Sequence, residues 1–165
     1  MTEKPLLIFL HGWGSTAGIW QPVVERLQHS YACYLPDLPG HGDSRLTQTR
    51  LEPLAREILD SIGRPAIWVG WSLGALIAMQ AALLMPQQVQ QLLIVSGTPA
   101  FVRHDGWDTA MPINTFDQFQ TGFSGHASRT LKRFIALQAH GDSQSKTVVR
   151  QLADSSADRP DESAS

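Results

Sequence analysis

Residues 70 to 74 read Gly-Trp-Ser-Leu-Gly, a serine set between two glycines. A hydroxyl so placed is a candidate nucleophile for acyl transfer: a sharp strand-to-helix turn lifts it clear of a sheet, and the packed backbones beside it leave no room for a Cβ. By itself G-x-S-x-G arises by chance in roughly one chain of this length in twenty at ordinary glycine usage. Its flanks raise it above chance, because residues 66–69 form a short apolar run suited to a buried strand and residues 73–85 a longer one suited to a helix. Ser72 then sits at a helix N-terminus, where unpaired N–H groups and the helix dipole favour a developing oxyanion. A second donor is expected from His11-Gly12-Trp13-Gly14, so the predicted oxyanion hole is the backbone N–H of Trp13 together with that of Leu73. His11 and His41 lie in glycine-bounded turns, and each is expected to fix a loop by hydrogen bonds rather than to move a proton.

Such groups need a frame to hold them. Residues 5–10 are a short apolar run that reads as a first strand, and residues 19–28, apolar at 19, 20, 23, 24 and 27, as a helix. Residues 31–35 follow as a second strand, then the turn-rich Pro-Asp-Leu-Pro-Gly-His-Gly-Asp-Ser loop over 36–44. A helix over 51–62 ending at Gly63, a third strand over 66–69, the helix after the serine with Pro86 beyond it, and a fourth strand over 91–95 complete the alternation. Strand and helix in turn imply right-handed βαβ units and an α/β fold with a mostly parallel sheet of about four strands and flanking helices. Ligands bind at the carboxyl ends of strands in such sheets, and residues 11–14, 37–44 and 70–74 each follow directly on a strand.

Beyond Ser96 the character changes. Phe116, Phe119, Phe123, Leu131, Phe134, Ile135 and Leu137 make an interrupted helical pattern carrying Arg129, Lys132 and Arg133, and a short helix is expected over about residues 144–152. The expected organisation is a core over 1–110, a helical cap over 111–153 and a disordered tail over 154–165, which has no apolar residue larger than alanine.

Composition narrows the function classes. At 165 residues with 42% hydrophobic content the chain can bury one ordinary core, and a formal net charge of −2 offers no basic field for nucleic acid or an anionic membrane. The single cysteine, Cys33, falls in an apolar run and reads as a buried small hydrophobe, not as half of a disulfide or a metal ligand. No secretory signal pattern opens the chain, and no apolar run approaches the roughly 18 residues needed to span a bilayer. A cytoplasmic protein with no metal, no cofactor and no nucleic-acid or membrane partner is expected.

Taken together, residues 9–14 (FLHGWG), 37–44 (DLPGHGDS) and 70–74 (GWSLG), in this order and spacing, resemble the α/β-hydrolase family. More narrowly, HGWG, AIWVGWSLG over 66–74 and SRTLKRFIALQAHG over 128–141 resemble the esterases that act on the methyl ester of pimeloyl-acyl-carrier protein in biotin synthesis. That resemblance implies Ser72 as the acylated nucleophile and Trp13 and Leu73 as the oxyanion hole. It further implies Phe134, Ile135, Ala136, Leu137 and Gln138 as part of the wall around the acyl chain, and Arg129, Arg133, Lys146 and Arg150 as the contacts to an acidic acyl-carrier protein. Lys146 stands where these esterases more often carry Arg, which removes a bidentate contact. Another small-ester hydrolase of the family is the alternative.

In this family the triad acid and histidine follow Ser72 on later strands. Residues 73–165 hold one further strand and a cap, leaving His104, His126 and His140, with Asp105, Asp108, Asp117 and Asp142, as candidates. The expectation is a serine carboxylesterase of that type, C-terminally truncated, with a catalytically inactive fragment that retains acyl and carrier-protein binding as a further alternative. The full fold is expected to be monomeric, and the shortened chain to self-associate through an open apolar sheet edge.

Overall fold

The computed structural model describes residues 3–156 and contains β1 (Leu6–Leu10), α1 (Gln21–Leu27), β2 (Ala32–Tyr34), α2 (Leu51–Ile62), β3 (Ala66–Trp71), α3 (Leu73–Leu84), β4 (Val89–Val95), α4 (Ile113–Gly125), α5 (Ala127–Gln138) and α6 (Ser145–Asp154). It divides into two units, residues 1–99 and 100–165. Most of the tail expected to be disordered, residues 157–165, lies outside the described residues.

In the first unit, four parallel strands pair in the order β2-β1-β3-β4. All five residues of β1 are apolar and buried, because successive side chains serve opposite faces. Leu6, Ile8 and Leu10 pack with Leu54, Ala55, Ile58 and Leu59 of α2 and Ile77, Ala78 and Ala81 of α3. Leu7 and Phe9 point the other way, to Val69, Trp20, Val24 and Leu27. Helices therefore cover both faces, and the strands read as continuous apolar runs rather than alternating ones. The strand order reverses between β1 and β3: the chain leaves β1 to one side for β2 and returns to the other side for β3. Their carboxyl ends define the crevice where such sheets bind ligands.

Local chemistry sets the element boundaries. The helix expected over 19–28 is a 3-10 turn over Ala17–Trp20 followed by α1. Pro22 has no N–H to donate backward, so it fits the first turn of α1 and prevents a continuous helix from running through it. α2 stops at Gly63, whose φ of 61° is the left-handed cap position that glycine favours. β3 runs two residues past the expected end because Gly70 and Trp71 pair with Ile94 and Val95. Cys33 is half-buried rather than buried, since β2 is the short outer strand of the sheet; what burial it has pushes its thiol pKa up.

In the second unit, the chain breaks between α4 and α5 after Gly125, at His126. Phe119 and Phe134 meet at 5.8 Å between ring centroids, and Leu131, Ile135 and Ala139 are buried. Among the described residues no helix is long and apolar enough to cross a membrane, and no group of His, Cys, Asp or Glu side chains could hold a metal ion.

Candidate active site

Ser72 joins β3 to α3 with φ 53° and ψ −111°, a strained conformation for a residue with a Cβ. Backbone hydrogen bonds hold it there from both sides. Its N–H donates to the Val95 carbonyl (3.0 Å), and its carbonyl accepts from the Ala75 N–H (3.0 Å) and the Leu76 N–H (3.4 Å). The two glycines are required by contact. A Cβ on Gly70 would stand 2.6 Å from Ala75 Cα, and one on Gly74 would stand 2.6 Å from the Leu10 carbonyl carbon. The strand, the turn and the adjacent strand are packed backbone to backbone, which is what lets α3 begin so abruptly. Within residues 3–99 the Ser72 hydroxyl makes no hydrogen bond, and neither does the Leu73 N–H, one of the free donors at the start of α3.

The loop after β1 leaves the sheet beside this turn, because Leu10 and Gly70 are register partners. Gly12 packs close to the Trp71 ring, where a Cβ would approach Cε3 to 3.0 Å, and Ser15 N–H closes the loop onto the Gly12 carbonyl (3.2 Å). Trp71, the first variable residue of G-x-S-x-G, is thus a packing platform for the loop bearing Trp13. Its only signal in the sequence is an aromatic residue in that position.

The loop after β2 is tied to the loop after β1 by three bonds. His41 Nε2 accepts from the Gly14 N–H (3.0 Å), His11 Nε2 accepts from the Leu38 N–H (2.9 Å), and Asp37 Oδ1 accepts from the Ala17 N–H (2.7 Å). Since each ring accepts at Nε2, each carries its proton on Nδ1. From there His11 donates to the Gly12 carbonyl (2.8 Å) and His41 to the Pro39 carbonyl (3.0 Å). Both histidines therefore fasten loops through their ring nitrogens, as their setting in the sequence suggests. Burial lowers the His11 pKa to about 4; the Gly12 bond raises it, His41 lowers it further, and Asp37 pulls it up. The 3.9 Å approach of His11 to Asp37 is accordingly one of a neutral ring to a carboxylate, not an ion pair. Asp37, which the sequence offered only as part of a turn-rich run, organises its own loop as well: Oδ2 accepts from the Asp43 N–H (3.0 Å), and its carbonyl accepts from the Ser44 hydroxyl (2.7 Å). Beside Leu73 lies an apolar cavity of about 210 Å³, lined among others by Leu38, Leu54, Leu73 and Ile77.

The remaining predicted residues are in the second unit. Phe134, Ile135, Ala136, Leu137 and Gln138 are consecutive on α5 and so point around its whole circumference. Ile135 is buried and Phe134 half-buried, while Ala136, Leu137 and Gln138 are exposed. Arg129 and Arg133 are exposed one turn apart on α5, and Lys146 and Arg150 likewise on α6, where Arg150 approaches Asp154 at 4.0 Å. Lys146 also borders a cavity of about 330 Å³ between α5 and α6, with Ala136, His140 and Val149. Of the candidate bases, His104 has its Nδ1 2.9 Å from the Asp105 carbonyl, His126 stands at the α4–α5 break, and His140 follows α5; all three are exposed.

A strained serine between close-packed glycines, at the carboxyl edge of a parallel sheet and next to a pinned loop, points to one fold family, and the family comparison agrees. Residues 7–162 match the model of the alpha/beta hydrolase family, and the chain belongs to that family. Among curated relatives, pimeloyl-[acyl-carrier protein] methyl ester esterases are 42% identical in Xanthomonas oryzae pv. oryzae and 38% in Xylella fastidiosa, each over 149 residues. That of Methylococcus capsulatus is 39% identical over 157 residues. These matches cover 90 to 94% of this chain but 58 to 61% of the relatives, so the chain spans about three-fifths of their length. Among solved structures, an esterase from Exiguobacterium antarcticum and a hydrolase from Oleispira antarctica superpose with TM-scores of 0.75. They are 19% and 18% identical and cover 95% and 94% of this chain and 63% and 60% of their own, a likeness of fold.

Proposed function

We propose that the chain carries the nucleophile and oxyanion machinery of a serine carboxylesterase acting on the methyl ester of pimeloyl-[acyl-carrier protein]. The carrying observation is Ser72, held at φ 53° between two glycines that admit no Cβ. The relatives' printed names support the substrate. In this reading Ser72 Oγ attacks the ester carbonyl and gives its proton to a base, while the carbonyl oxygen gathers negative charge against the N–H groups of Trp13 and Leu73. Collapse breaks the bond to the methoxy oxygen, which takes the proton back from the base and leaves as methanol, and water then attacks the acyl-serine to release the free carboxylate and restore the Ser72 hydroxyl. Phe134 to Gln138 serve as acyl contacts, and the cations Arg129, Arg133, Lys146 and Arg150 as contacts to the acidic carrier protein.

Treatment of the 165-residue chain with a fluorophosphonate, and separately with the pimeloyl-carrier methyl ester, tests the reading. Ser72 is expected to be the labelled residue, and Ser72→Ala is expected to remove both label and methanol release. Substituting His104, His126 and His140 in turn identifies the base as the one whose loss slows labelling by about two orders of magnitude or more, the usual worth of a general base. Reversing two charges together, Arg129→Glu with Arg133→Glu, is expected to weaken carrier-protein association at low salt and to leave hydrolysis of a small p-nitrophenyl ester unchanged.

A second reading is a domain that binds acyl carrier protein without turning over its ester. It is favoured by one observation: within residues 3–99 no histidine is bonded to the Ser72 hydroxyl, and His11 and His41 are committed to backbone groups. Absence of both a Ser72 adduct and a burst of product, with carrier binding retained, selects it over the first.

A further inference from the structure

The mechanism above uses neither His11 nor His41, yet they are among the few buried polar side chains of the described residues. Their bonds are reciprocal. Each ring sits on one loop and accepts the N–H of a residue 27 positions away on the other: His41 takes Gly14 from the loop after β1, and His11 takes Leu38 from the loop after β2. Each uses its second nitrogen to brace its own loop, at Gly12 and at Pro39. The rings meet edge-on with centroids 5.2 Å apart. Trp13 lies between Gly12, whose carbonyl accepts from His11, and Gly14, whose N–H donates to His41. Both peptide units flanking that residue are thus set by imidazoles.

We infer that His11 and His41 form a reciprocal clasp that positions the Trp13 N–H, making them positioning residues for the oxyanion hole rather than members of the proton path. The inference rests on the esterase reading of Ser72 for its consequence, though not for its geometry. An oxyanion donor is useful only if held where the charge will appear before the charge appears, and the two imidazoles add to the Ser15–Gly12 closure a brace that reaches across to the other loop. A neutral imidazole does this in a way a hydroxyl or a carboxylate does not, because it accepts an N–H on one side and donates to a carbonyl on the other across a rigid ring. Burial keeps the His11 ring in that neutral form at physiological pH.

The test uses the full 165-residue chain with three substitutions at the more accessible ring. His41→Gln can carry an acceptor to about the Nε2 position. His41→Asn stays polar but reaches only to the Nδ1 position, and His41→Leu accepts nothing. Three quantities are read: the rate of Ser72 labelling by a fluorophosphonate, the hydrogen-exchange protection of the Gly14 amide with the chemical shift of the Trp13 amide, and the unfolding temperature. His41→Asn and His41→Leu are expected to slow labelling at least tenfold, within the roughly 10²–10³ lost when an oxyanion donor is removed outright. They are also expected to expose the Gly14 amide, while His41→Gln stays within about threefold of the parent rate with Gly14 protected. Labelling that is equally fast in all variants, or slowed equally in His41→Gln and His41→Leu, overturns the inference, the second result marking a merely structural ring. Should the parent chain not label at Ser72, the esterase reading fails by itself and the amide measurements decide the clasp. Gly14 protection and the Trp13 shift that persist in His41→Leu overturn it, and their loss there with recovery in His41→Gln supports it. Should His41→Leu not fold, His41→Asn against His41→Gln makes the same comparison.

Discussion

β1 and β4 are strands of one parallel sheet, the first apolar throughout and the second over Leu92–Val95, and they end in opposite conditions. β1 is buried along its length, and the loop beyond it is fastened by His41, Asp37 and the Trp71 ring. β4 pairs with β3 on one side only, and Leu92, Leu93, Ile94 and Val95 remain 37 to 47% exposed, with Leu83 of α3 79% exposed. Across the rim at β1 and β3, the Ser72 N–H and carbonyl and the Gly14 and Leu38 N–H groups are taken up by named partners, which is the condition for holding a strained turn and the loop beside it still. On the outer side of β4 no strand among the described residues takes them up. The same apolar chemistry thus lines a close-packed turn where both sides of a strand are covered and leaves an exposed apolar edge where one is not.

The sharpest way to break the ordered side is to separate its backbones. Gly74→Val places a branched side chain against the Leu10 carbonyl, an atom of a central strand that cannot move aside without disturbing its pairing to β2 and β3. Overpacking in a core costs about 1–3 kcal/mol, and a clash with backbone belongs at or beyond the top of that range. Gly40→Ala is the control: its φ is +77° but nothing lies within 4 Å of the added Cβ, so only backbone strain of about 1–2 kcal/mol is expected. Urea unfolding of the two variants checks the ranking, and a Gly74→Val chain as stable as Gly40→Ala removes the claim that close packing dictates this glycine.

A milder probe of the same side is pH. His11 has a folded pKa of about 4 against an ordinary value of 6.5, so between those values the unfolded chain binds the proton that the folded chain refuses. Stability contributed by the neutral ring is complete above about pH 6.5 and is lost as pH falls through that window toward 4, an effect on the order of 3 kcal/mol when fully expressed. In structural terms, a proton on Nε2 would face the Leu38 N–H that this nitrogen now accepts. Urea midpoints at pH 7 and pH 4.5 are expected to differ clearly in the parent chain and much less in His11→Gln. An unchanged difference in that variant assigns the acid sensitivity to other groups.

Much of this fold is legible in the sequence for a definite reason. A strand covered on both faces must be apolar at every position, so Leu6 to Leu10 and Ala66 to Val69 announce themselves, and the glycines around Ser72 announce the turn because nothing larger fits. The 3-10 turn before Pro22 was missed because apolar spacing is blind to the missing N–H. The histidine clasp was half-read. Turn composition says that His11 and His41 fasten loops, but a ring and an N–H 27 residues apart meet only through the sheet's strand order, which no local window contains. For β4, an apolar pattern marks a surface that gains by being covered; it does not say what covers it.

That exposed strand supplies the gentlest test of the contrast. Val89–Val95 contains no charge and no proline, the residues that ordinarily blunt a sheet edge against pairing with another chain. Leu93 is 47% exposed, so a lysine there can extend its head into water without emptying a core position, and folded stability is expected to change by no more than about 0.5 kcal/mol. Self-association is expected to weaken by about tenfold, equivalent to ~1.4 kcal/mol, because the charge opposes burial of the edge against a like edge. Sedimentation velocity over a concentration series measures it. Leu7→Lys, on the buried strand, is the counterpart: the same chemistry there is expected to cost several kcal/mol and to unfold the chain. If Leu93→Lys leaves association unchanged, β4 is not the adhesive edge, and exposed apolar side chains of the second unit, such as Leu137 at 63%, become the surface to alter next.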